Sequence, residues 1–182
     1  PGSDFFTVED APQYDVIIGN PPWNGRTGQL TTAQNWTASK GYLAPAKDIA
    51  GGFVWKALEG ITPTGLVALL LPAMGCLHNT ESQAARRMLL QRTRIRRIIN
   101  MSDLCFQLFD GAQRPTALVL YGPQKQGQAP YRFEYWVPKA DLNLRLKRLV
   151  TLSRADRLTF RSDLVAEDPT VFKRRLWTRA PE

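Results

Sequence analysis

Four short apolar runs limit what this chain can fold into. They are "YDVIIG" with its Val16-Ile17-Ile18 centre, "TGLVALLLP" from Thr64 to Pro72, "IRRIINM" from Ile95 to Met101 and "PTALVLYG" from Pro115 to Gly122. The first, with its continuous Val16-Ile17-Ile18 centre ended by glycine and proline, suits a strand buried on both faces of a parallel sheet. The first spacer contains a helix that Asp48 caps, that carries Ile49, Phe53, Ala57 and Leu58 on one face, and that Gly60 closes. The second contains "TESQAARRMLLQR", with Thr80 and Gln83 in capping-box spacing. This alternation predicts a right-handed doubly wound α/β layer. The third spacer leaves no room for a crossover helix, so the third and fourth strands are expected to be antiparallel neighbours. The expected fold class is therefore α/β, a partial Rossmann-like sheet ending in an antiparallel hairpin.

Residues Asn24 to Lys47 are rich in Gly, Thr, Asn and Gln and read as a long, mostly irregular insertion. Beyond Pro123 the composition changes. "YRFEYWVP" alternates well enough for one more strand, a helix is expected around Leu142 to Leu149, and Asp168-Pro169 reads as the N-cap and first position of a last short helix. The expected division is 1–122 as the catalytic half of a domain and 123–182 as a basic extension, the linker or the start of a target-recognition region.

A chain of 182 residues can bury a real core, and its net charge of +8 points to a polyanionic partner. Cys76, Cys105 and the single histidine, His78, lack metal-ligand or redox spacing, so no metal is expected and a reducing, cytoplasmic setting is. The longest apolar run, Leu66 to Leu77, is broken by Pro72 and is too short to span a bilayer.

The first strand ends in Asn20-Pro21-Pro22-Trp23. Prolines fix φ and lack N–H groups, so this turn presents mainly rigid acceptors: the Asn20 side-chain oxygen and nearby carbonyls. Such acceptors beside an aromatic face suit a planar group with an –NH₂. They would hold both amino hydrogens and leave the nitrogen lone pair directed at an electrophile, while Trp23 stacks on the ring.

This turn, set after an apolar strand, resembles the N/D-P-P-Y/F/W signature of class I methyltransferases that methylate amino nitrogens with S-adenosylmethionine. The best-known members are the adenine-N6 DNA methyltransferases of restriction-modification systems, and the resemblance covers about Asp4 to Gly122. It implies that Asn20, Pro21, Pro22 and Trp23 are catalytic and that Asp4, Phe5 and Asn20 contact the cofactor. It also implies that an aromatic of "SDLCFQLFDGAQR", Phe109 first and Phe106 second, packs with Trp23 on a flipped-out base. DNA is the implied partner. Two arginine groups are candidates for its phosphates: Arg86, Arg87, Arg92, Arg94, Arg96 and Arg97, and the basic C-terminal region with Arg145, Lys147, Arg148, Lys173, Arg174 and Arg175.

The chain departs from that pattern in one respect: no Gly-x-Gly occurs in it. The cofactor turn is therefore expected in an N-terminal half outside these residues. "DVIIG" is expected to present a free edge, and the segment alone to be weakly active or inactive until it meets that half or a second copy. Three other readings remain open: methylation of an rRNA guanine, methylation of a protein glutamine amide, and a non-catalytic nucleic-acid-binding relic.

Overall fold

The computed structural model describes residues 4–7, 13–23, 30–45, 48–109, 114–125, 127–128 and 130–176. Its strands are β1 (Tyr14–Gly19), β2 (Ile61–Pro72), β3 (Thr93–Asn100), β4 (Thr116–Pro123), β5 (Arg132–Trp136) and β6 (Arg157–Arg161). Its helices are α1 (Thr32–Ser39), α2 (Ile49–Glu59), α3 (Gln83–Arg92), α4 (Leu142–Lys147), α5 (Ser162–Glu167) and α6 (Val171–Arg174). The strands form one open sheet in the order β1-β2-β4-β3-β5-β6. β1 and β2 are parallel, as are β3 and β5, while β4 is antiparallel to both of its neighbours and β6 to β5.

The β3–β4 hairpin expected from the short spacer is present, with Thr93 opposite Pro123. It sits inside the sheet, because β4 inserts between β2 and β3 and the sheet continues through β5 and β6. The residues beyond 122 thus extend the same sheet, and Tyr131, Phe133, Tyr135 and Val137 join the same hydrophobic core as Val67, Leu69 and Ile98. Gly65 and Gly122 permit the close approach of β2 and β4: a Cβ on Gly122 would lie 2.7 Å from the Gly65 carbonyl oxygen.

Several local expectations change. β1 is the edge strand that the missing glycine turn predicts, so its apolar run is not buried on both faces, and Tyr14, Val16 and Ile18 are exposed at 48%, 57% and 79%. Within the expected irregular insertion lies α1, whose polar composition hides it from a periodicity search. A capping box starts it: Thr31 Oγ1 accepts from the Gln34 amide at 3.3 Å, and Gln34 Oε1 from the Thr31 amide at 2.9 Å. α2 has the anticipated Asp48 cap, whose carboxylate accepts from the Ala50 amide at 3.0 Å. The Thr80–Gln83 box does not form; Thr80–Ser82 makes a 3₁₀ turn leading into α3. α6 begins at Val171, and Asp168 instead accepts from the Thr170 amide at 3.0 Å. α5 and β6 had no counterpart in the sequence expectations. Among the described residues no helix is long and apolar enough to cross a membrane.

Candidate active site

Because β1, β2, β3 and β5 run in the same direction, their carboxyl ends at Gly19, Pro72, Asn100 and Trp136 share one edge of the sheet, with the start of β4 among them. Asn20-Pro21-Pro22-Trp23 leaves from this edge. The last β1–β2 pair is Gly19 with Leu69. Beyond it the two prolines offer no N–H to β2, and the Trp23 indole N–H fills the vacancy by donating to the Leu70 carbonyl at 3.3 Å. Trp23 is half-buried and packs on the core, Pro21 is buried, and Asn20 and Pro22 are exposed. The chain thus fixes the ring with a hydrogen bond and leaves the Asn20 amide free to meet a ligand.

Asp4 and Phe5 lie in a turn of residues 4–7, closed by the Phe6 amide on Asp4 Oδ1 at 3.0 Å and the Thr7 amide on the Asp4 carbonyl at 2.9 Å. The Phe5 ring, 42% exposed, stacks on Phe53 of α2 with centroids 5.5 Å apart and planes within 8°. Phe6 is buried against Phe53 and Trp36, which ties the turn to α1 and α2. The N-terminus of α2 reaches the site edge, where Asp48 and Val54 share a small cavity with Leu71, Pro72 and Cys76.

Phe106 and Phe109 lie on the loop that follows β3, at the same edge, exposed at 68% and 39%. Residues 110–113 of that expected loop are outside the described residues. The base of the loop is held by a buried polar network that sequence reasoning missed. Ser102 Oγ donates to Asn100 Oδ1 at 2.5 Å, and Asn100 Nδ2 donates to the Tyr135 hydroxyl at 2.7 Å. That hydroxyl in turn donates to the Phe172 carbonyl at 3.1 Å. His78 Nε2 lies 3.2 Å from Ser102 Oγ, and its Nδ1 is buried with no hydrogen-bond partner among the described residues. Burial first, then Lys173 and Arg86, lower the His78 pKa to about 4. The one signal available beforehand was an asparagine closing the strand directly after Ile98 and Ile99. Two more bonds steady the loop: the Ala140 amide to Asp103 Oδ2 at 3.0 Å and Arg148 Nη1 to the Gln107 carbonyl at 3.3 Å.

Part of the first arginine group serves the fold. Arg86 is buried and donates to the Asn79 and Pro169 carbonyls at 2.7 and 3.0 Å, Arg87 pairs with Glu167 at 3.0 Å, and Arg97 pairs with Glu134 at 2.6 Å. In the C-terminal group Arg174 pairs with Asp168, while Arg145, Lys147, Lys173 and Arg175 stand exposed. Both cysteines are buried and free, and burial pushes the Cys76 thiol up to about 12. No cluster of metal-ligating side chains occurs among the described residues.

With this geometry in place, a family model described as Eco57I restriction-modification methylase matches residues 2–106, more than half of the chain. The chain belongs to the Eco57I restriction-modification methylase family. Among solved structures, this methylase chain resembles the methyltransferase subunit of a type I restriction-modification system from Streptococcus thermophilus. The TM-score is 0.64 and the identity 14%, over 95% of this chain and 41% of that one. It also resembles the type IIG restriction endonuclease BpuSI, with a TM-score of 0.60 and 14% identity over 96% of this chain and 22% of that one. For the M protein of the type I restriction enzyme EcoKI the values are 0.58 and 11%, over 94% and 44%. At such identities the likeness is one of fold. The methylase chain spans less than half the length of each of these structures. No curated protein sequence matches it.

Proposed function

We propose that this chain carries the catalytic turn of an S-adenosylmethionine-dependent DNA methyltransferase that acts on the N6 amino group of a flipped-out adenine. The observation that carries the reading is the exposed Asn20 amide at the carboxyl end of β1, beside a Trp23 ring fixed by its bond to Leu70. S-adenosylmethionine supplies an electrophilic methyl carbon bound to a positively charged sulfur. Asn20 Oδ1 and an adjacent backbone carbonyl accept the two amino hydrogens of the base and keep the nitrogen lone pair directed at that carbon. When bound, S-adenosylmethionine would supply the methyl group that the amino nitrogen takes from its sulfur, and the acceptors of the turn would pass the surplus amino proton to water. Orientation does most of this work, so no histidine or cysteine is required.

Extruding a base costs a few kcal/mol of stacking. A base–aromatic stack returns about 1–3 kcal/mol. Trp23 on one face and Phe109 on the other, with Phe106 as the alternative, offset most of that loss. Asp4 and the open face of Phe5 suit the adenine end of the cofactor. The residues of this chain offer no glycine turn for its remaining part, so the fit is partial and the rest of the pocket comes from other polypeptide.

The test is mass spectrometry of nucleosides from duplex DNA treated with S-adenosylmethionine and this chain assembled with the glycine-bearing half of its enzyme. N6-methyladenine is the expected product. A methylated guanine, or no methylated base, overturns the reading. The absent glycine turn favours a second reading, a nucleic-acid-binding relic, marked by steeply salt-dependent DNA binding with no uptake of cofactor.

A further inference from the structure

Phe106 and Phe109 have little packed around their rings, so where those rings point depends on the main chain that carries them. That main chain starts from a fixed place: the Ser102 amide donates to Asn100 Oδ1 at 3.1 Å, and Leu104 is buried. The Gln107 and Leu108 amides then close on the Leu104 carbonyl at 2.9 and 3.1 Å, which makes residues 102–108 a compact turn. Gln107 sits between the two aromatics. Its own carbonyl accepts from Arg148 Nη1 at 3.3 Å, and this bond ties the turn to the end of α4.

Arg148 reaches that carbonyl from an uncommon backbone. Among the described residues it is the one non-glycine residue with a positive φ, at 56° with ψ 31°. It closes α4: its amide donates to the Leu144 carbonyl at 3.1 Å, and the Leu149 amide to the Asn143 carbonyl at 3.4 Å. Helix ends of this form favour glycine, which takes the left-handed conformation without steric cost. The helix has no need of a third cation there, because Arg145 and Lys147 already bring positive charge to its last turn. The reason for an arginine in a strained position therefore lies in what its side chain touches, and the side chain touches the turn of the two aromatics. A planar guanidinium suits that task, since it loses less freedom for each hydrogen bond it makes than a lysine ammonium does.

We infer that Arg148 is a positioning residue for the flipped base: through the Gln107 carbonyl it holds the turn of Phe106 and Phe109, so that an aromatic face is set before the base arrives. The inference deepens the methyltransferase reading and rests on it for the identity of the ligand; the tie between α4 and the turn stands on the geometry alone. A stacking face already in place spares the base the cost of ordering it. The effect falls on the step that follows DNA binding. Arg148 thereby leaves the group of candidate phosphate contacts, in which the exposed Arg145 and Lys147 remain.

The experiment compares wild type with Arg148→Gly and Arg148→Asn in the assembled enzyme. Glycine and asparagine both accept the left-handed conformation, and neither reaches Gln107. Three quantities are read: the melting temperature, hydrogen exchange over residues 102–109, and steady-state methyl transfer from S-adenosylmethionine to genomic DNA of cells that lack adenine methylation, at several DNA and salt concentrations. Arg148→Gly should raise the melting temperature by about 2 °C and quicken exchange of the Gln107 and Leu108 amides. It should lower kcat roughly tenfold or more and leave KM for DNA and its salt dependence unchanged, and Arg148→Asn should reproduce the loss of kcat. A melting temperature that falls in both variants in step with kcat marks a merely structural arginine and overturns the inference. Unchanged exchange in the turn overturns it too, as does a raised KM with a shallower salt dependence at constant kcat, the mark of a lost phosphate contact. If wild type methylates no DNA, the methyltransferase reading fails, and the exchange and melting data still decide whether Arg148 holds the turn.

Discussion

The Trp23 indole donates to the Leu70 carbonyl at 3.3 Å, one residue beyond the last β1–β2 pair. The side chain thereby replaces a main-chain donor that two prolines removed. Trp23→Phe keeps the flat face and deletes the donor. It should lower stability by about 1 kcal/mol in urea denaturation and preserve methyl transfer in the assembled enzyme. Trp23→Ala should lose transfer as well, through the lost stack.

Asn20 makes no demand on the fold, since its side chain is exposed at the strand end. Asn20→Ala should leave the melting temperature unchanged and reduce kcat of the assembled enzyme on the order of a hundredfold. Asn20→Asp keeps the acceptor oxygen and should retain part of the rate. Steady-state kinetics beside a thermal melt separates the two effects.

Arg86 belongs to a sequence cluster that suggests DNA contact, but it is spent on two half-buried main-chain carbonyls. Arg86→Met should cost about 2–3 kcal/mol, because the Asn79 and Pro169 carbonyls lose their donor. DNA affinity per folded molecule, measured by fluorescence anisotropy, should not change.

His78 provides a pH signature. Its pKa of about 4 in the fold lies below the ordinary value of 6.5. Above 6.5 neither state binds the proton. As pH falls through that value the unfolded chain takes up a proton that the folded chain refuses, so stability declines down to about 4 and then levels. Wild type should lose roughly 2 kcal/mol relative to His78→Gln between pH 7 and pH 4, measured as paired urea midpoints.

Gly122 faces the Gly65 carbonyl across β2 and β4. The methyl group of Gly122→Ala would meet main chain that cannot move aside. A loss of about 1–3 kcal/mol is expected in thermal unfolding.

The rigid turn after β1 was legible because proline and asparagine act locally: Asn20 to Trp23 carry their rigidity wherever they stand. The hairpin was legible because a short spacer excludes a crossover. The edge position of β1 was legible only indirectly, through the missing glycine turn, since Val16-Ile17-Ile18 reads the same at an edge as in a sheet centre. α1 was hidden because its capping box, Thr31 with Gln34, opens a helix without an apolar stripe. The Asn100–Ser102–Tyr135 network was hidden because it joins residues 35 positions apart, a pairing that no local pattern encodes. The arginines misled for the same reason: whether Arg86 meets phosphate or a main-chain carbonyl depends on Pro169, far along the chain.

The two margins of the sheet differ in kind. β6 is five residues long, and Arg157 and Arg161 stand at its ends, a combination that discourages further strands. β1 offers its edge without such protection. A molecule that can grow in only one direction does not make filaments, because head-to-tail addition needs two receptive ends. Whatever self-association the isolated chain undergoes through its sheet margin in concentrated solution should therefore close at a pair.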